Sequence, residues 1–217
     1  MNRWPWLLPP TAAWIGWMLV AVMLGTIVAS TGYAQEEFFM PVEQFARFKN
    51  RADANGSGSC VQASMSIAGA HHGVPAAEYL LHGHPDYGPA VLGGSWPERV
   101  ERYCKERSIP IYNIEGSQSI EYICWALDNG AYAVITYGHA HMINAIGISP
   151  DHQTFWIIDN NYPREIRQVS RQTFISEHRS FAGGWCVLLK TFGPPPWELP
   201  EPRLPADSNF ERGGIDK

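Results

Sequence analysis

The chain has 217 residues, 45% of them hydrophobic and 17% charged, with a formal net charge of −5. That length suits one domain of ordinary size with appendages, and no lysine- or arginine-dense stripe is present, which speaks against nucleic acid as the main partner. The four cysteines, Cys60, Cys104, Cys124 and Cys186, show no Cys-x-x-Cys spacing, which speaks against a structural zinc site or a thioredoxin-like motif.

Residues 4–33 carry no charged side chain, and Arg3 is the only charge before them. One reading is a secretory signal, with Gly32-Tyr33-Ala34 as a small-x-small cleavage site before Gln35. The other is an uncleaved membrane anchor, because the apolar run exceeds the usual signal core of roughly 7–15 residues. Both place the remainder outside the cytoplasm, in the periplasm or cell envelope, and the second attaches it to the membrane through residues 4–33. Loss of residues 1–34 would remove Arg3 and move the charge from −5 to −6. An oxidising compartment favours one disulfide alongside a nucleophile and a buried thiol. Cys104 with Cys124 is the pair expected, although no spacing fixes it.

A domain over residues 35–192 follows. Its polar lead-in, 35–54, carries Phe38, Phe39, Phe45 and Phe48, which are expected to pack across the domain surface. The run Asn55-Gly56-Ser57-Gly58-Ser59-Cys60 then delivers a cysteine to the first turn of a small-residue helix, 59–72, with Gly73 suited to its C′ position. Pro75 opens a short helix, 76–81, and a Gly/Pro-rich loop covers 82–94. Ser95-Trp96-Pro97-Glu98 reads as a capping box for a helix to Arg107. A strand is predicted over 109–114 and a helix over 118–128, stopped by Asp128-Asn129-Gly130. Strands follow at 131–137, 142–149, 154–159 and 165–169, then a helix capped by Ser170 and a closing strand over 184–189. Helices first and an antiparallel sheet afterwards indicate the α+β class. From Gly193-Pro194-Pro195-Pro196 onward, residues 193–217 read as a proline-rich disordered tail.

Three segments carry chemistry. Cys60 at a helix N-terminus has backbone N–H groups and the positive end of the dipole to favour a thiolate. Gly138-His139-Ala140-His141 opens an apolar run, offering a base, with both histidines expected on one face of a strand. Ile157-Ile158-Asp159-Asn160-Asn161 ends a strand with groups able to orient an imidazole. Cys, then His, then Asn or Asp is the order of a cysteine-nucleophile hydrolase.

Gly58-Ser59-Cys60 before a helix resembles the nucleophile segment of the papain-like cysteine peptidases. His141 with Gly147 resembles their histidine strand, and Ile157-Ile158-Asp159-Asn160 the strand that ends in their orienting residue. The compact layout most resembles the bacteriocin-processing, double-glycine-cleaving branch, over residues 50–190. The resemblance implies a central nucleophile helix packed on an antiparallel sheet, a peptide or protein substrate and no cofactor. It implies Cys60 as nucleophile and His141 as base and acid, with His139 the alternate base or a surface residue. The branch implies Asp159 as orienter, whereas papain implies Asn160, with Tyr162 near the place of a shielding aromatic. Where the family places an upstream glutamine for the oxyanion, this chain offers Asn55, one methylene shorter.

Blander readings stand beside these. Cys60 alone could be a small buried hydrophobe, and His71, His72, His82, His84 and Asp86 read as solvated loop groups rather than metal ligands. Trp96, Trp125, Trp156 and Trp185 read as core before groove. A different class of function, a non-catalytic envelope binding or assembly module on the same scaffold, is compatible with the missing glutamine and the proline-rich tail.

Overall fold

The computed structural model describes residues 41–52, 57–195 and 197. Asn55, Phe38, Phe39, the apolar run 4–33 and most of the tail therefore lie outside the described residues. Among those described, no helix is long and apolar enough to cross a membrane.

The elements run α1 (Val42–Phe45, continued by a 3-10 turn, Ala46–Phe48), α2 (Cys60–His72), α3 (Pro75–Glu78), α4 (Pro97–Glu106), β1 (Ile111–Glu115), α5 (Ser119–Asp128), β2 (Ala133–Thr136), β3 (Met142–Ile148), β4 (Thr154–Ile158), β5 (Ile166–Ser170), α6 (Arg171–Arg179) and β6 (Trp185–Leu189). The six strands form one sheet in the order β1-β6-β2-β3-β4-β5, antiparallel throughout. The α+β class and the packing of the cysteine-bearing helix on an antiparallel sheet are as the sequence implies.

Strand alternation divides the interior in two. Val134, Met142, Ile146, Ile158 and Val187 face the layer built by α1, α2, α3 and α4. Their neighbours Ile135, Ile143, Ala145, Ile157 and Leu188 face α5 and α6. Every residue of β2 and β6 is buried, so these strands read as continuous apolar runs because helices cover both faces. Helix α2 lies over the middle of the sheet and is apolar or small nearly all round. Its Gly69 is required by close approach: a Cβ there would meet the backbone nitrogen of Glu78 at 2.3 Å. Gly73, at φ 62, closes the helix in the left-handed conformation.

Several expectations are corrected. All four cysteines are free thiols. Cys104 packs in the core under α2 and Cys124 in the core on the opposite face of the sheet, so a bond between them would have to cross the sheet. Burial pushes the Cys104 thiol up to about 12 and raises Cys124 as well. Phe45 and Phe48 are fully buried rather than spread on the surface. The capping box does not form: α4 begins at Pro97 with no side-chain cap, and the Ser95 hydroxyl instead accepts a 2.7 Å hydrogen bond from Gln62 Nε2. Trp197, beyond the domain as read, meets Tyr122 and Trp125 of α5 at ring distances of 5.8 and 6.2 Å. The Ser170 cap does form, accepting from Thr173 N at 3.2 Å.

His178 of α6 is fully buried, with Nδ1 3.0 Å from Thr136 O and Nε2 2.7 Å from Ser119 Oγ. Burial lowers its pKa to about 4 against the opposing effect of the Thr136 carbonyl. Below the ordinary value of about 6.5 the unfolded chain takes up a proton that the folded chain refuses. Its stabilising contribution is therefore complete above that pH and declines toward pH 4. Urea midpoints should fall between pH 7 and pH 4.5, and a His178→Gln variant, less stable at pH 7, should lose less over that interval.

Candidate functional site

Cys60 is the first residue of α2 and is half-buried. Its position follows from the chain before it: Ser59 N donates to Arg51 O at 2.8 Å, and Ala52 and Gly58 form an antiparallel bridge. The Ser59 side chain is spent elsewhere, accepting from Gly93 N at 3.0 Å. As the N1 residue, Cys60 has a backbone N–H with no partner inside the helix, and it lies at the positive end of the dipole.

His141 immediately precedes β3, at the closing end of a hairpin whose base is the 2.9 Å bond from Tyr137 N to His141 O. His139 and His141 do not share a strand face. Residues 138–140 form the hairpin tip, with Gly138 and Ala140 both at positive φ, and His139 is exposed there. The His141 Nε2–H donates to Asp159 Oδ1 at 2.8 Å, which leaves Nδ1 as the free ring nitrogen. The Cys60 thiol lies within hydrogen-bonding reach of this ring. Burial would lower the His141 pKa, but the Asp159 hydrogen bond and charge, joined by those of Cys60, outweigh it and push the group up to about 9. Asp159 also accepts from Asn161 N at 2.9 Å. Burial alone would raise the Asp159 carboxyl; the bonds from His141 and Asn161 and the Arg167 charge hold it below its usual value.

The three candidates at the end of β4 separate cleanly. Asp159 meets the imidazole. The Asn161 side-chain amide lies 3.1 Å from the same Nε2. Asn160 turns away and is fully buried: its Nδ2 lies 2.9 Å from Cys60 O, 2.8 Å from Ser64 Oγ and 2.8 Å from Met142 O. Asn160 thus ties the first turn of the cysteine helix to the residue after His141. Asn144 repeats the link one turn on, donating to Ser64 O at 3.0 Å. Tyr162 stands 64% exposed.

Sequence reasoning missed Gln62. Fully buried on α2, it donates to Gly93 O and Ser95 Oγ, while Arg99 from α4 donates to Leu92 O and Gly94 O. Together with Ser59 they pin the 92–95 loop beside the helix N-terminus. Leu92 in that loop and Trp96 directly after it are among the large apolar side chains left exposed among the described residues. Trp125 and Trp185 are core. The histidine cluster is dispersed: His71 stacks on Tyr132 at 3.6 Å and His82 contacts Arg47 O. Among the described residues no group of three or more His, Cys, Asp or Glu side chains could hold a metal.

Chemically, the arrangement provides a thiol at a helix N-terminus, an imidazole held by a carboxylate, and a helix-start backbone N–H with no partner inside the helix. Two outcomes follow. The His141 imidazole should titrate near pH 9 by NMR and fall in Asp159→Asn; since its pKa is raised, the stability it confers is complete below about 6.5 and lost as pH rises through 9. Asn160→Ala should cost about 2–3 kcal/mol in urea unfolding, because it strips partners from buried backbone carbonyls.

No protein-family model matches the chain, and no curated protein matches its sequence. Among solved structures it is similar to the peptidase domain of Streptococcus ComA, a bifunctional ABC transporter involved in a quorum-sensing pathway. The TM-score is 0.41 and the identity 14%, covering 65% of this chain and 98% of that one. It is similar also to a double-glycine-motif protease from an AMS/PCAT transporter solved with its leader peptide, at TM-score 0.37 and 13% identity, covering 65% and 92%.

Proposed function

We propose that the chain is a cysteine peptidase-type hydrolase of papain-like design, cleaving peptide or amide bonds through an acyl-enzyme on Cys60. The observation that carries this reading is the imidazole of His141, bonded on one side to Asp159 and within reach of Cys60 on the other.

An imidazolium that keeps its proton through neutral pH stabilises a neighbouring thiolate. The Cys60 sulfur attacks the substrate carbonyl carbon, forming a C–S bond as the carbonyl π pair moves onto oxygen. The Cys60 N–H at the helix start donates to that oxyanion. Collapse restores the carbonyl and breaks the C–N bond, and His141 passes its proton to the leaving amine. Water then attacks the thioester with His141 as base, and the C–S bond breaks to release the acid and regenerate the pair. Asp159, bonded to Nε2, fixes the orientation of the ring and stabilises its charged form. Asn160 serves the site by joining helix to strand rather than by touching the imidazole. Asn55 is retained as the candidate second oxyanion donor, since Gln62 is committed to the 92–95 loop. The charge-free run 4–33 supports export or anchoring, with a peptide or protein substrate outside the cytoplasm.

The reading is tested by the rate of Cys60 alkylation with iodoacetamide, with the other cysteines resolved by peptide mapping. Cys60 should react first, and His141→Ala should slow it by about tenfold or more at neutral pH. Equal rates in the wild type and His141→Ala would overturn the reading in favour of a non-catalytic binding scaffold.

A further inference from the structure

The residue that must be placed most accurately, His141, follows a three-residue hairpin tip with two positive-φ residues, Gly138 and Ala140. Short exposed turns of this kind are mobile unless tied down. Here the tie comes from the face of the sheet opposite the cysteine helix. Gly138 N donates to Glu177 O at 3.0 Å, and the Ser180 hydroxyl lies 2.9 Å from Gly138 O and 2.7 Å from Glu177 O. Its single proton is shared between the two carbonyls. Both backbone groups of Gly138 are thus engaged by the last turn of α6.

That turn is itself anchored. His178 lies between Glu177 and Ser180, buried, with Nδ1 3.0 Å from Thr136 O and Nε2 2.7 Å from the Ser119 hydroxyl. Thr136 returns a bond from Oγ1 to His178 O at 3.0 Å and accepts from Trp185 N at 3.0 Å. Thr136 is the last residue of β2, so α6 grips the hairpin at two successive points, Thr136 at its base and Gly138 at its first turn. Gly184 lets β6 pass this knot, since a Cβ there would meet His178 Nε2 at 2.6 Å.

We propose that the C-terminal turn of α6, through Ser180 with His178 as its buried anchor, is a positioning device for His141. This rests on the hydrolase reading above. Ser180 touches neither the imidazole nor the thiol; it fixes the strand entry from which the imidazole projects, and a displacement of about 1 Å at a reacting group is enough to cost up to 10²-fold in rate.

The test is the pH profile of Cys60 alkylation by iodoacetamide in the full chain, comparing wild type, Ser180→Ala, Ser180→Thr and His141→Ala. Ser180 is exposed at a helix end, so Ser180→Ala should keep its fold, checked by circular dichroism and thermal unfolding. It should react several-fold more slowly at neutral pH, its profile displaced toward that of His141→Ala, while Ser180→Thr recovers the wild-type profile. If the wild type depends on His141 and Ser180→Ala matches the wild type, the positioning role is overturned and the hydrolase reading stands. If the wild type reacts like His141→Ala, the hydrolase reading fails and the positioning role falls with it.

Discussion

The side-chain amide of Asn160 is the joint on which the site depends. A helix and a strand from distant parts of the chain must present a thiol and an imidazole to each other. Packing of small side chains brings α2 onto the sheet, but apolar contact has no direction and tolerates sliding. Asn160 removes that freedom by bonding at once to the carbonyl of Cys60 and the carbonyl of Met142. Being fully buried, it has no competing water, so loss of the registered position would leave buried carbonyls unpaired. The order of its neighbours then follows: Asp159 on one side reaches the ring, and Asn161 on the other closes around it.

Electrostatics complete what this geometry begins. A histidine at this depth would ordinarily be neutral, as His72 and His178 are, both lowered to about 4 by burial. His141 is partly buried yet is shifted the other way, because a carboxylate and a thiol act on it. His71, His72 and His178 are thus shifted toward the neutral ring, and His141 alone of the four toward the cation. Position relative to Asp159 makes the difference.

Much of this was legible in the sequence. Gly73 marked the end of α2, β-rich runs between turn residues marked β2 through β6, and Ser170 capped α6 as read. Cys60 begins α2 as read, while His141 and Asp159 lie just outside β3 and β4. What was not legible has specific causes. The choice among Asp159, Asn160 and Asn161 could not come from strand alternation, because β4 ends at Ile158 and the next three residues turn freely. Ser95 looked like a cap but was claimed by Gln62, a partner 33 residues away. The Cys104–Cys124 pairing failed because the pattern of strands does not say which helix covers which face. His139 and His141 parted because Ala140 adopts a positive φ that alternation does not foresee.

The short lead-in helix has a mechanical consequence. Phe45 and Phe48 are sunk in the core, and two residues later Asn50 N donates to Asn160 O at 2.9 Å. A pull applied upstream of Pro41 would have to extract both rings before any load reached Asn50, and from there Asn160. The two phenylalanines therefore stand as a buried anchor between the chain before Pro41 and the bond from Asn50 to Asn160.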